Sequence, residues 1–215
     1  MIKKICLILT VVLTLGTFVY ADGAGTSADS YFDNKKVFTD LDGFKWAEPA
    51  IYYLAQYGLV EDDMGRVYPQ KYITRGEFTK LIIGAFGLYD YDAKCSFTDV
   101  NEGSEYYPYI ASAYELGIIN GVGYGKFGID EYIQRQDMAT IIYRTVQSYG
   151  TPLTEKPPLD FVDADEIFEY AKEPVSALVG AKAVSGNLDY QFLPKNNANF
   201  AEACKILYYI MLKNT

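Results

Sequence analysis

The sequence contains no histidine, which removes Ser-His-Asp triads, imidazole general bases and histidine-ligated metal centres. Cysteine is scarce, and Cys6, Cys95 and Cys204 do not form a constellation with zinc spacing. No metal and no cofactor are therefore expected. Positive charge is also in deficit: 19 Lys and Arg stand against 28 Asp and Glu, for a formal net charge of −9. Without a basic patch, nucleic acid and anionic membrane surfaces are poor partners. Long apolar runs are missing except at the very start of the chain.

What is present fits a soluble globular body, with 50% hydrophobic and 22% charged residues. At the N-terminus, Lys3 and Lys4 precede an uncharged apolar run from Ile5 to Val19, followed by Val19-Tyr20-Ala21 and a Gly-rich polar stretch. That is the pattern of a signal peptide over residues 1–21, with Asp22 as the mature N-terminus. The run is shorter than the ~20 residues a membrane span needs, so the mature chain is expected not to span a membrane. Cys6 lies inside the run rather than in a lipoprotein position, and no lipid anchor is expected. Loss of Lys3 and Lys4 takes the charge from −9 to −11. Export permits a disulfide between Cys95 and Cys204, although their different settings favour free thiols.

After an N-terminal segment over 22–37, one unit occurs three times, at 38–88, 97–150 and 161–215. Each copy opens on an aromatic and an aspartate: Phe38-Thr39-Asp40, Phe97-Thr98-Asp99 and Phe161-Val162-Asp163. A first helical pattern follows, carried by Trp46, Ala47, Ile51 and Leu54, by Tyr106, Ile110, Ala113 and Tyr114, and by Ala171, Val175, Leu178 and Val179. Gly58 and Gly117 suit a left-handed helix stop. Lys182 takes that place in the third copy, which weakens or reshapes the stop.

A loop with Tyr68-Pro69, Phe127-Gly128-Ile129 or Phe192-Leu193-Pro194 leads to a second helix. Its apolar stripe falls at i, i+3, i+4, i+7 and i+8, starting from Phe78, Met138 and Ala203. A lone helical pair of this size buries such a stripe poorly. The expectation is a mainly all-α fold of three helix-loop-helix repeats, packed through their second helices as a pseudo-threefold, three-pronged bundle. Residues 151–158, with Pro152, Pro157 and Pro158, read as a linker, and Tyr89 to Lys94 as a shorter one.

Just before each second stripe stand Ile73-Thr74-Arg75-Gly76-Glu77, Ile133-Gln134-Arg135-Gln136-Asp137 and Ala198-Asn199-Phe200-Ala201-Glu202. Together with the Phe-x-Asp opening, Trp46-Ala47, the helix-ending glycine and the aromatic loop, these segments resemble the S-layer homology repeat over residues 38–215. Thr74 and Glu77 form a capping box pattern, as do Asn199 and Glu202. Arg75 and Arg135 face the positive end of a helix dipole, a placement that either a bound anion or an internal ion pair would relieve. The pair partner would be Glu77, Asp137 or an opening aspartate of a neighbouring copy.

The resemblance implies a secreted, non-catalytic cell-wall module of a bacterial surface layer. Such modules bind anionic, pyruvylated secondary cell-wall polysaccharide in grooves between repeats. Carried onto this chain, the candidate glycan-binding residues are Arg75 and Arg135, with Thr74 and Glu77 at the motif and Asn120-Gly121 in the loop. Trp46 and nearby tyrosines would form the aromatic wall. Asp40 and Asp99 are secondary candidates, since turn and cap roles fit them better. Phe200 and Lys182 depart from the pattern, which leaves at most two competent grooves expected.

Two other functions compete. A wall-acting glycoside hydrolase needs a carboxylate pair, and Glu61, Asp62 and Asp63 read instead as a solvated turn. A module that binds another envelope protein through its tyrosine-rich acidic surface, 21 tyrosines in all, is compatible with anchoring. On this reading almost no passenger accompanies the repeats, so the cargo stays open.

Overall fold

The computed structural model describes residues 37–214. The signal peptide and nearly all of the 22–37 segment lie outside the described residues. Six α-helices follow in order: α1 Glu48–Gln56, α2 Arg75–Ala85, α3 Tyr107–Glu115, α4 Arg135–Tyr149, α5 Glu169–Gly180 and α6 Phe200–Asn214. Among the described residues there are only isolated β-bridges and no strand. The fold is all-α, two helices per copy.

Local chemistry sets the helix ends. Pro49 and Pro108 stand in the first turns of α1 and α3, where a missing N–H costs nothing. The Thr74 hydroxyl accepts from Glu77 N–H at 3.1 Å, while the Glu77 carboxylate accepts from Thr74 N–H at 2.8 Å. Asn199 and Glu202 repeat the reciprocal box at 2.9 and 3.0 Å. Gln134 makes no side-chain cap on α4. Gly58 and Gly117 both sit at φ +69°, and Lys182 holds the same left-handed turn at φ +61°. Its N–H donates to Val179 O as Gly58 N–H does to Ala55 O. The stop therefore survives without glycine, at the steric cost of a Cβ in that region.

The copies interleave rather than stack. Ile133 N–H donates to Ile73 O, Ile73 N–H to Ala198 O, and Ala198 N–H to Ile133 O, a closed ring of backbone hydrogen bonds. Just beyond it, the first two N–H groups of each second helix donate into another copy's loop: Arg75 and Gly76 to Glu131 O and Ile129 O, Arg135 and Gln136 to Asn196 O and Pro194 O, Phe200 and Ala201 to Lys71 O and Pro69 O. These bonds satisfy donors that a helix start leaves unpaired.

The helix packing corrects one expectation. The close pairs are α2 with α3, α4 with α5 and α6 with α1, so each second helix packs on the first helix of the following copy rather than chiefly on the other second helices. The stripes still do the burying: Phe78, Ile82, Met138, Ile142, Ala203 and Leu207 are all fully buried within one continuous apolar cluster that spans the three copies. Thr145, the polar member, returns its hydroxyl to Ile141 O at 2.9 Å. The 151–158 linker is docked. Leu153 is buried, Ser176 Oγ donates to Pro157 O at 2.6 Å, and a Cβ on Gly180 would lie 2.4 Å from Glu155 O. Among the described residues no helix is long and apolar enough to cross a membrane.

Candidate functional site: three inter-repeat grooves

The opening aspartates shape the loops from which the grooves are built. Asp40 accepts from Val67 and Tyr68 N–H at 3.1 and 2.7 Å, Asp99 from Phe127 and Gly128 N–H at 2.7 Å each, and Asp163 from Phe192 and Leu193 N–H at 2.8 and 2.7 Å. Burial opposes ionisation of Asp99, yet three backbone N–H donors outweigh it and hold its pKa below the ordinary value. Both oxygens of each carboxylate are spent on backbone. Asp40 and Asp99 thus act as loop clamps, the turn role preferred for them over ligand contact.

Each junction, or groove, is bounded by the loop and second helix of one copy and the first helix of the next, with the start of the remaining copy's second helix as its floor. In the second groove the floor is Arg75, only 6% exposed. Its Nε donates to Phe127 O at 2.9 Å and its Nη2 to Asn120 O at 3.0 Å. Nη1 pairs with Asp137 at 3.4 Å, and the guanidinium lies 4.8 Å from the centre of the Phe127 ring. Desolvation lowers the Arg75 pKa while Asp137 pulls it back up. Tyr170, at the start of α5, donates to the other oxygen of Asp137 at 2.5 Å. Burial and that bond raise its pKa.

The third groove repeats the plan with a different balance. Arg135 Nε donates to Phe192 O at 2.8 Å, Nη1 pairs with Glu202 at 2.6 Å, and the guanidinium lies 5.2 Å from the Phe192 ring centre. Its Nη2 has no hydrogen-bond partner among the described residues. One turn along α6, Lys205 stands 5.2 Å over the ring of Trp46 at the start of α1. No carboxylate pairs with Lys205 among the described residues. Trp46 is 46% exposed.

The first groove has lost both floor groups. Phe200 stands where the others carry arginine, and Val67 where they carry the Phe127 or Phe192 ring. A cavity of about 390 Å³ opens there. Lys71 takes over the ion pair with Glu77 at 3.0 Å. Lys80, equivalent to Lys205, is held between Glu61 and Glu105 at 2.7 and 2.5 Å; these bonds raise its pKa against the lowering by burial.

The sequence-predicted residues are therefore divided. Arg75 and Asn120 meet, but through the Asn120 carbonyl and with the arginine committed to Asp137. Trp46 does not wall that groove; it belongs with α6. Thr74 and Glu77 serve as the capping box, and Glu77 also lines the first-groove cavity. Gly121 is a close-approach residue, since a Cβ there would lie 2.4 Å from Lys126 O. Lys205, Tyr170 and Lys80 were missed because none stands in the repeated motif, while Phe127 and Phe192 were seen in the repeated loop but not as partners of the arginines. Aligning Lys80, Thr140 and Lys205 three residues after each motif acid would have found the changing charge. Cys95 and Cys204 are free thiols, with Cys204 fully buried.

Three interleaved helical copies, each joined to the other two by backbone hydrogen bonds and helix contacts, define a tandem helical repeat module. The model of the S-layer homology domain family matches three stretches, residues 37–79, 96–139 and 160–204, and the chain belongs to that family. It is 32% identical over 185 residues to an amylopullulanase of Thermoanaerobacterium thermosulfurigenes, covering 85% of this chain and 10% of that protein. It is 33% identical over 176 residues to the S-layer protein sap of Bacillus anthracis, covering 80% and 21%. An endoglucanase of Bacillus sp. (strain KSM-635) is 25% identical over 213 residues, covering 98% and 22%. The chain thus spans less than a quarter of each relative's length.

Proposed function

We propose that this chain is a non-catalytic cell-wall anchoring module of the bacterial surface, and that its third groove holds the acidic sugar of a secondary cell-wall polysaccharide. An amylopullulanase, an endoglucanase and an S-layer protein have no activity in common. What they share with this chain is a segment, and attachment is a task such different proteins have in common. The observation that carries the site is Lys205 over Trp46 with no carboxylate beside it. In the first groove the equivalent lysine is neutralised twice, and in the second the position is Thr140.

A sugar bearing a carboxylate, such as a pyruvylated residue, meets three complementary groups there. Lys205 supplies charge, the free Nη2 of Arg135 supplies a directed donor, and Trp46 supplies a flat apolar face for sugar C–H groups. The test is calorimetry with purified wall polymer, before and after removal of its pyruvyl groups. Lys205→Ala and Trp46→Ala should each weaken binding by about 1–3 kcal/mol, the range for one charge-assisted contact, with unchanged thermal melts. Equal affinity of the folded variants, or indifference to pyruvyl removal, would defeat the assignment.

A further inference from the structure

The first groove has a chemistry of its own. Its cavity, about 390 Å³, falls within the roughly 300–1,000 Å³ typical of small-ligand sites. Four tyrosines line it, Tyr68, Tyr72, Tyr106 and Tyr109. The aromatic surface continues past both ends: Tyr72 packs on the half-exposed Tyr132 at 5.6 Å, and Tyr109 on Tyr89 at 5.4 Å, which in turn meets the exposed Tyr91 at 5.5 Å. Tyr68 is held there in a left-handed backbone at φ +50°, a conformation that disfavours side chains, and its hydroxyl is tied to Asp63 at 3.0 Å.

The charges point away from an acidic ligand. Lys71 is paired to Glu77 and Lys80 to both Glu61 and Glu105, while Asp62 and Asp63 add further negative charge at the rim. Arg66 lines the cleft too, so three cations face Glu61, Asp62, Asp63, Glu77 and the Glu105 bonded to Lys80; an incoming carboxylate would find both lysines committed and carboxylates in excess. A sugar without acidic groups would find ring faces for its C–H surfaces and carboxylate acceptors for its hydroxyls.

We propose that this cleft is a second carbohydrate site, separate from the acidic-sugar groove, which binds a run of uncharged sugars along the tyrosine track. Phe200 and Val67, which stand where the other grooves carry arginine and an aromatic ring, both line it. The two grooves would grip different parts of one chain, or two different chains, and linked binding of this kind multiplies weak affinities.

The probes are N-acetylglucosamine tetramer, cellotetraose and wall polymer stripped of its acidic groups, titrated to millimolar concentration while amide NMR shifts are followed. Shifts are expected around Tyr68, Tyr72 and Tyr109 with at least one neutral probe, and not with a galacturonate tetramer. Phe200→Arg restores the residue of the other grooves opposite Glu77, so the protein should stay folded, fill the cleft and lose these shifts at least tenfold in affinity. Binding of acidic wall polymer by the third groove should persist in Phe200→Arg, while Lys205→Ala should weaken it and keep the neutral-sugar shifts. A response only to stripped polymer would mark the wall glycan as source; a response to the simple tetramers would mark a generic neutral-glycan site. No shift with any neutral probe, or shifts that survive in folded Phe200→Arg, would overturn the proposal.

Discussion

Arg75→Ala should destabilise the protein strongly, where the sequence alone left a bound anion and an internal ion pair both open. The guanidinium makes two hydrogen bonds to carbonyls, one ion pair and a ring contact, all within another copy. Asn120 is exposed and its carbonyl regains water on truncation. Phe127 is fully buried, so its carbonyl is left with a desolvation penalty of about 1–3 kcal/mol. The Asp137 pair is long, its carboxylate is 28% exposed, and Tyr170 still donates to it; its loss adds on the order of 1 kcal/mol. Removing the guanidinium from over the Phe127 ring adds a similar amount.

The total is about 3–5 kcal/mol, a large part of the stability of a single domain. Urea unfolding followed by circular dichroism reads it directly, with the slope unchanged and the midpoint lowered. A loss below about 1 kcal/mol would mean that Arg75 is not the strut these contacts describe. Arg135→Ala, with one fewer hydrogen bond and more solvent, should cost less than Arg75→Ala. The reverse order would contradict the same reasoning.

Two further outcomes are expected. Lys182→Gly relieves a left-handed Cβ at φ +61° and should stabilise the fold by roughly 0.5–1 kcal/mol, seen as a higher thermal midpoint; a lower midpoint would show that the lysine stem packs usefully. Asp99→Asn should cost about 1.5–3 kcal/mol at neutral pH by removing a charged acceptor of backbone N–H groups. Because the folded pKa of Asp99 is depressed, its contribution is present above the unfolded value near 3.9 and is lost as pH falls through the folded one. The variant should therefore lose less stability than the parent as pH falls below about 4, and parallel pH profiles for the two proteins would refute this.

Elements that depend on neighbours along the chain were legible before any folding was considered. The i, i+3, i+4 stripes from Phe78, Met138 and Ala203, the Thr74 and Asn199 capping boxes and the Gly58 and Gly117 stops each involve residues within two helical turns, so periodicity and turn chemistry reveal them. The threefold recurrence of Phe-x-Asp and of the second-helix motif carried the family. Only the tertiary structure decided which copy meets which. The floor of each groove comes from one copy, its loop and second helix from another and its first helix from the third, so a motif read in one place acts in another. That is why the consequence of Phe200 falls in the groove of the Tyr68 loop, and why Trp46 faces Lys205 instead of Asn120. Charge balance at a groove is a sum over residues more than 60 positions apart, such as Arg75 and Asp137. Only the interleaved packing brings such residues within reach of one ligand.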